Sequence, residues 1–304
     1  MPIVSIFGAT GLQGSAVLKA VLEDGTFTPR AVSRNPDSDA AKALKAQGVE
    51  VVKGDLFDLA SIKEALKGSD VVFGVTNFWD PSVFPGTTNG EGEIQQGKNL
   101  VDAATAVGIK FFVWSGLPSS KVLSKGKFSK VYHIDNKATI YQYLESSGLD
   151  YAAVETAYFA DNLWRNGALK KTATGYTIPI PKYSPTSTQT FTWVAHDLGP
   201  AVLALLKNYD NPAKIVLRKS FPVVTAIETY PQIARRIAAA IKQEVTFIST
   251  ETAGLAELDE MYAYQSACGM YKDTPVPNPD LVLLGVKIGT LDELISTEIV
   301  PRFS

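Results

Sequence analysis

The first fifteen residues constrain the fold more than any other stretch of the chain. A short apolar run, Pro2 to Phe7, leads directly into glycines spaced three residues apart, and apolar residues at helical spacing follow. The order is therefore strand, glycine turn and helix N-terminus, where free amides and the helix dipole favour an anion. The alternative is an ordinary strand–helix turn. The pattern predicts that a dinucleotide binds at the turn, through Gly8, Ala9, Thr10, Gly11, Leu12, Gln13 and Gly14.

Strand-like and helix-like segments alternate along the first half of the chain. Strands are expected at 28–33, 49–53, 70–74, 110–114 and 151–155. This alternation predicts an α/β fold, a Rossmann-type doubly wound parallel sheet with its ligand at the carboxyl ends of the strands. We expect a dinucleotide-binding Rossmann domain at 1–156 and a smaller α/β C-terminal subdomain at 157–304, interleaved with the first, for substrate or partner binding.

The pattern is looser in the second half. There the sequence predicts helices at 159–166 and 226–241 and a strand at 214–217. The expectations for this half concern secondary structure, and no chemistry is assigned to it apart from a tyrosine near its start.

Composition excludes several classes of function. The 304 residues include 29 basic and 31 acidic side chains, so no net basic charge is present to bind nucleic acid directly. A single cysteine, Cys268, and two histidines far apart argue against a disulfide and a metal site. No apolar stretch is long enough to span a membrane, and the N-terminus lacks a secretory signal. A cytoplasmic protein is expected.

The residues at the end of the second predicted strand indicate which of the two nicotinamide cofactors binds. A carboxylate there would hold the ribose 2′-hydroxyl of NAD(H). The chain has Ser33 and Arg34 instead, and an arginine can bind a 2′-phosphate through two charge-assisted hydrogen bonds. NADP(H) is therefore the predicted cofactor. The alternative for Arg34 is an ordinary surface arginine at the end of a strand.

Later loops are expected to complete the cofactor site. The predicted contacts are Asp55 and Leu56 at the adenine, Thr76, Asn77 and Phe78 at the nicotinamide, and Lys98 from the following helix. Each has a structural alternative. Asp55 is equally well explained as a helix cap, whereas Lys98 is better explained as a solvated lysine. Phe78 and the adjacent Trp79 are equally well explained by one aromatic side chain anchoring the loop.

These motifs together resemble the NmrA-like family, an atypical branch of the short-chain dehydrogenase/reductase superfamily. The residues that carry the resemblance are the run 8–14, Ser33-Arg34-Asn35-Pro36, Gly54-Asp55-Leu56, Thr76-Asn77-Phe78-Trp79, Ser115-Gly116-Leu117 and Tyr158-Phe159-Ala160-Asp161-Asn162-Leu163. The resemblance covers nearly the whole chain, and the set is more specific than any one motif.

The resemblance also defines the candidate catalytic residues. Typical members of the superfamily have a serine after the fifth strand and a Tyr-x-x-x-Lys pair on the next helix. Ser115 stands at the serine position and Lys137 at the lysine position, but His133 replaces the tyrosine. Tyr158 is expected near the nicotinamide end. The alternatives are a solvated Lys137, a helix-start role for His133 and a core position for Tyr158.

Two functions are compatible with this departure from the family pattern. The loss of the tyrosine favours a redox sensor that binds NADP(H) and regulates protein partners, as the resemblance implies for several members. The competing interpretation is an NADPH-dependent reductase of a small carbonyl, quinone or enone, with Lys137 or His133 in the proton transfer. The expected partners are the dinucleotide, a transcription or signalling protein in the cytoplasm or nucleus, and a second copy of the chain in a homodimer.

Overall fold

The computed structural model describes residues 1–84, 86 and 88–304 of the chain. The strands are β1 (Ile3–Phe7), β2 (Thr28–Ser33), β3 (Glu50–Lys53), β4 (Val71–Gly74), β5 (Phe111–Gly116), β6 (Tyr151–Glu155), β7 (Tyr158–Phe159), β8 (Lys170–Lys171), β9 (Gly175–Pro181), β10 (Thr188–Thr192), β11 (Ser220–Pro222), β12 (Ala226–Thr229) and β13 (Glu244–Thr250). The helices are α1 (Leu12–Asp24), α2 (Asp39–Ala46), α3 (Leu59–Leu66), α4 (Glu91–Val107), α5 (Ser120–Leu123), α6 (Tyr132–Glu145), α7 (Asn162–Arg165), α8 (Gly199–Asn208), α9 (Tyr230–Ile241), α10 (Ala256–Cys268), α11 (Pro279–Leu283), α12 (Leu291–Leu294) and α13 (Val300–Phe303). A π-helical turn, Val194–Leu198, leads into α8, and another, Ile295–Ile299, follows α12.

The main sheet has seven parallel strands in the order β3-β2-β1-β4-β5-β6-β11. The chain first builds outwards from β1 to β3 and then crosses back to β4 on the other side of β1. This order confirms the predicted Rossmann-type doubly wound sheet. The switch in strand order between β1 and β4 is the position where such sheets bind ligands.

Helices cover both faces of the main sheet. Strands β4 and β5 are buried along their whole length and mostly apolar, as expected for strands with a helix layer on either side. Helices α1 and α8 contribute to the core on one face, and α3, α4 and α6 to the core on the other. Helices α1 and α8 pack closely against each other, because a Cβ at Gly199 of α8 would lie 2.2 Å from the carbonyl oxygen of Ala16 in α1.

The second half of the chain builds a further core beside the sheet. Two small sheets, β12-β10-β7 and β13-β9-β8, surround aromatic and aliphatic side chains that include Tyr183, Phe191 and Tyr230. The same half also supplies β11 to the edge of the main sheet and α8 to its face. Within the described residues, no helix is both long enough and apolar enough to cross a membrane.

Three expectations for the second half were wrong in detail. Residues 159–166 are helical only in α7, because Tyr158 and Phe159 pair with β10. Residues 214–217 form a bend and an irregular stretch that leads into a turn rather than a strand, and the edge strand is β11. The helix expected from residue 226 begins at Tyr230, where Thr229 closes a capping box with Gln232.

Candidate cofactor and active site

The glycine turn joins β1 to α1 with the geometry that its sequence requires. Gly8 has φ +64°, a left-handed conformation that side chains other than glycine rarely adopt. A Cβ at Gly14 would lie 2.2 Å from the carbonyl oxygen of Gly8, so only glycine lets α1 start this close to the strand. No side chain caps the N-terminus of α1, and its first turn contains no acidic residue. The turn therefore leaves backbone amides available for an anion.

A cavity of about 540 Å³ lies over the turn. It brings together most of the residues predicted to bind the dinucleotide: Gly8, Thr10, Gly11, Leu12, Gln13, Gly14, Arg34, Leu56, Thr76 and Asn77. Ala9 is buried and is not part of the lining. The cavity therefore runs along the carboxyl edge of the sheet from the end of β3 to the end of β4.

Arg34 reaches this cavity but already has a partner. Its guanidinium donates to a carboxylate oxygen of Asp80 at 2.6 Å. The Ser82 hydroxyl, together with Arg34, lowers the pKa of Asp80 to about 2, so the carboxylate is charged at physiological pH. The end of the cavity that was expected to bind a 2′-phosphate thus holds one cation and one anion.

Besides Ala9, two predicted cofactor residues, Asp55 and Lys98, line neither this cavity nor the larger one beside it. The carboxylate of Asp55 accepts from the amide of Phe57 at 2.9 Å and so forms a local turn. The ammonium of Lys98 lies 5.3 Å from the centre of the Tyr143 ring. Neither side chain is directed into the cavity, and their roles in cofactor binding stay sequence predictions.

The structure adds residues that the sequence analysis missed. Those that line the cavity over the glycine turn are Asn35, Val75, Asp80, Gln96 and Phe159. The signal for Gln96 was present in the sequence, since it lies four residues before the apolar Leu100 and therefore on the same face of α4. Asp80, from the loop after β4, and Phe159, from β7, are brought to the sheet edge only by the tertiary structure.

A second and larger cavity, of about 760 Å³, adjoins the first. Both cavities are lined by Gln13, Thr76, Asn77 and Phe159, which mark their junction. The walls of the larger cavity include Phe78, Trp79 and Tyr158, with Met261 and Tyr262 from α10. Its size is that of a site for a small molecule, and its lining of aromatic and apolar side chains suits a flat apolar ligand.

Lys137 lies at the wall of the larger cavity and is buried against a carboxylate. Its ammonium donates to Glu93 of α4 and lies 3.4 Å from the Thr76 hydroxyl, which also donates to Glu93 at 2.7 Å. The glutamate is completely buried. Gly97, one turn further along α4, permits this approach, because a Cβ there would lie 2.5 Å from the Ile140 side chain of α6.

His133 lies one turn before Lys137 on α6 and is also held by a carboxylate. Its ring Nδ1 lies 2.5 Å from Oε1 of Glu257, and its backbone amide donates to the same oxygen at 2.9 Å. Glu257 belongs to α10 and is buried. The imidazole packs beside Phe78 and Trp79, with ring centres 5.8 and 5.2 Å away.

The other two candidate catalytic residues lie in the same cavity. The hydroxyl of Ser115, at the end of β5, donates to the side-chain oxygen of Gln13 at 2.5 Å. Tyr158 packs edge-to-face against Phe191, and burial, then the neighbouring Tyr262, raise the pKa of its phenol well above the ordinary value. That phenol therefore stays neutral and is suited to donating a hydrogen bond. The cavity thus brings together Ser115, His133, Lys137 and Tyr158.

No metal ligation is evident in the part of the chain that the structure describes. No group of three or more histidine, cysteine, aspartate or glutamate side chains is arranged to hold an ion there. The polar groups that line the larger cavity include Lys137, His133, hydroxyl groups and side-chain amides.

The fold and the site define a class of protein: a Rossmann-type α/β protein with an anion-binding glycine turn and an adjoining small-molecule cavity. Within that class the chain belongs to the NmrA-like family, whose match runs over residues 2–275. This confirms the family resemblance inferred from the sequence motifs.

Known proteins similar to this chain include oxidoreductases and a regulator. The NmrA-like family domain-containing oxidoreductase lnbB of Aspergillus flavus is 30% identical over 309 residues, which cover 94% of this chain and 89% of lnbB. The crystal structure of NmrA, a negative transcriptional regulator, in complex with NADP has a TM-score of 0.75 and 18% identity, covering 99% and 95% of the two chains. The NADPH-dependent quinone oxidoreductase QOR2 of Escherichia coli, complexed with NADPH, has a TM-score of 0.73 and 21% identity over 96% and 98%.

Proposed function

We propose that this protein binds NADP(H) and acts as an NADPH-dependent oxidoreductase on a small conjugated carbonyl compound or quinone. The observation that carries the proposal is the junction of the two cavities at Gln13, Thr76, Asn77 and Phe159, with buried Lys137 in the wall beside it. A protein that only binds a nucleotide has no need for a second cavity of this size. The similarity to lnbB and to QOR2 supports the same activity.

The residues at the smaller cavity fit the cofactor. The uncapped N-terminus of α1 suits a pyrophosphate, and no carboxylate ends β2 to bind a 2′-hydroxyl. Arg34 suits a 2′-phosphate. When bound, reduced nicotinamide supplies two electrons and one hydrogen, as a hydride, to the substrate.

The residues of the larger cavity are suited to orienting the substrate by hydrogen bonds. The ammonium of Lys137 is fixed in the cavity wall by its ion pair with the buried Glu93. It is therefore suited to holding a ribose hydroxyl or the substrate oxygen by a hydrogen bond. The neutral phenol of Tyr158 is a second donor, and aromatic side chains form part of the cavity walls.

The direct test is turnover. Purified protein is mixed with NADPH and a panel of quinones, enones and aldehydes, and nicotinamide absorbance is followed. We expect steady oxidation of NADPH with at least one substrate, and a loss of roughly 10²–10⁴-fold when Lys137 is replaced. The variant is Lys137→Met in a Glu93→Gln background, because Lys137→Met alone leaves a buried carboxylate unpaired. Glu93→Gln alone, which keeps a neutral hydrogen-bond acceptor for the ammonium of Lys137, is the matched control.

The cofactor assignment has its own test. Arg34→Asp should weaken NADPH binding by about 10–100-fold and leave NADH binding nearly unchanged, since only NADPH carries the 2′-phosphate. Arg235→Asp, an exposed arginine on α9, is the charge-matched control. Equal losses for both cofactors would show that Arg34 does not choose between them.

A redox sensor is the second candidate function. The observation that favours it is the replacement of the superfamily's tyrosine by His133, together with the similarity to the regulator NmrA. A sensor of this kind would act through a transcription or signalling protein and must bind NADPH and NADP⁺ with different affinities. Titration with both forms tests this, and turnover across the panel would argue against a purely regulatory role.

A further inference from the structure

A histidine–glutamate pair at the larger cavity joins the two halves of the molecule. The side chains of His133 and Glu257 are only 12% and 3% exposed, and one carboxylate oxygen binds both the Nδ1 and the backbone amide of the histidine. A carboxylate only accepts hydrogen bonds, so Nδ1 carries a proton. In the described part of the chain, the second ring nitrogen, Nε2, makes no hydrogen bond to protein.

We propose that His133 is the catalytic residue that gives a proton to the reduced substrate and that Glu257 is its positioning residue. The inference rests on the proposed reductase function. A buried carboxylate on Nδ1 fixes the ring orientation and tautomer and stabilises the imidazolium, which leaves Nε2 to act at the cavity. The position agrees with this role, since His133 lines the cavity one helical turn before Lys137.

The neighbouring side chains are less suited to giving up a proton. Lys137 is paired with a completely buried glutamate, which would be left unpaired if the ammonium lost its proton. The imidazolium of His133 becomes a neutral ring that keeps its Nδ1 hydrogen bond to Glu257. Proton transfer from His133 therefore leaves the hydrogen bond within the His133–Glu257 dyad intact.

The reaction balances with these groups. The carbonyl carbon of the substrate gains a C–H bond from the hydride of NADPH, and the π electrons of the C=O bond pass to oxygen. The oxygen then forms an O–H bond with the proton from Nε2. The products are an alcohol, NADP⁺ and neutral His133, which regains its proton from solvent. In a conjugated enone or a quinone, the electrons reach the same oxygen through the conjugated system.

The arrangement can be tested without turnover, because the chain contains only two histidines. Long-range ¹H–¹⁵N spectra of ¹⁵N-histidine-labelled, cofactor-free protein report which ring nitrogen carries the proton, and His196→Gln assigns the two signal sets. We expect the neutral ring of His133 to be protonated at Nδ1 in the wild type and in Glu257→Gln, which keeps an acceptor. In Glu257→Met, which has none, we expect a shift towards Nε2. Protonation at Nε2 in the wild type would overturn the dyad.

Kinetics with the best substrate of the panel tests the chemical role. We expect kcat to fall by roughly 10²–10⁴-fold in His133→Gln and by about 10–100-fold in Glu257→Gln, with the Kd for NADPH within twofold of the wild type in both. His196→Gln is the matched control, because His196 also pairs with a carboxylate but lies outside the cavity. If Glu257→Met does not fold, Glu257→Gln still isolates the charge.

The outcomes separate the two proposals. Turnover that survives His133→Gln within twofold would overturn the catalytic role of the histidine and leave the reductase function standing. A wild-type protein that oxidises NADPH with no member of the panel would overturn the reductase function and this role together.

Discussion

Two basic side chains of α6, one turn apart, are each paired with a glutamate from a different region of the chain. Lys137 pairs with Glu93 of α4, and both helices cover the same face of the main sheet. His133 pairs with Glu257 of α10, which lies 124 residues further along the chain. The first pair is complete once the sheet and its helices have formed. The second exists only when the second half of the chain packs against the sheet, so the geometry proposed for proton transfer depends on contacts between the two regions.

Breaking the ion pair between Lys137 and Glu93 should have the largest effect on stability. Glu93→Ala leaves the ammonium of Lys137 buried without a counter-ion and should lower the free energy of unfolding by about 3–5 kcal/mol. Urea denaturation measures this, with Glu91→Ala, an exposed glutamate on the same helix, as the control. Replacing both partners, Glu93→Leu with Lys137→Met, should recover much of the loss. Losses that simply add would show that the two charges do not depend on each other.

Glu155 contrasts with Glu93 and Glu257, because no basic side chain pairs with it in the part of the chain that the structure describes. Burial raises the pKa of Glu155, at the end of β6, to about 7, and hydrogen bonds from Tyr271 and Ser220 offset only part of the effect. The native state therefore holds a proton that the unfolded chain releases near its ordinary pKa of 4.5. Stability should fall as pH rises from about 4.5 to about 7 and then level off.

The variant Glu155→Gln removes this titration. At pH 8 it should be more stable than the wild type by up to about 3 kcal/mol, and near pH 4 the two should be equal. Thermal or urea unfolding across this pH range measures the difference. A Glu155→Gln curve with the same pH dependence as the wild type would mean that another group is responsible.

The exposed pair of Arg34 and Asp80, at the proposed cofactor site, should have a smaller effect, which concerns the affinity for NADPH. Arg34 is 55% exposed, and its partner Asp80 lies beside the position proposed for the 2′-phosphate. Asp80→Asn removes a negative charge there and should tighten NADPH binding by roughly three- to tenfold, with NADH binding unchanged. Fluorescence titration measures both constants, and Asp210→Asn serves as a distant control. Weaker binding of NADPH would show that Asp80 orients Arg34 rather than competing for it.

The smallest effect on stability is expected for the pair of His196 and Asp197. A hydrogen bond to Asp197 raises the pKa of His196, whose side chain is 44% exposed. The stabilising contribution is therefore present below the ordinary pKa of histidine and is lost as pH rises through the raised value. Solvent screening keeps it small, so His196→Gln should cost less than about 0.5 kcal/mol at pH 5 and nothing at pH 9. A larger loss would show that this pair is structurally more important than its exposure suggests.

The glycine turn and the order of the first six strands were predictable because they depend on local rules. Glycine spacing fixes the turn, and alternating apolar segments fix the βα units. The resemblance then placed Ser115, His133 and Lys137, and all three line the larger cavity. Asp55 and Lys98 were less predictable, because a loop aspartate and a helical lysine have many local uses.

The acidic partners were missed although the sequence contains a signal for both. Glu93 lies four and seven residues before Gly97 and Leu100, and Glu257 lies four and eight residues before Met261 and Gln265, so each glutamate sits on the buried stripe of its helix. A carboxylate in such a position must find a partner. The spacing predicts that a partner exists but cannot say which side chain it is.

The sequence by itself determined the class of fold, the family and the anion-binding turn, because backbone conformation and short-range apolar periodicity encode them. Tertiary structure alone decided which carboxylate meets which base, that Asp80 reaches Arg34, and that the two cavities join at Gln13, Thr76, Asn77 and Phe159. These contacts join residues from distant parts of the chain. Their geometry is set by how whole helices pack and not by any local preference.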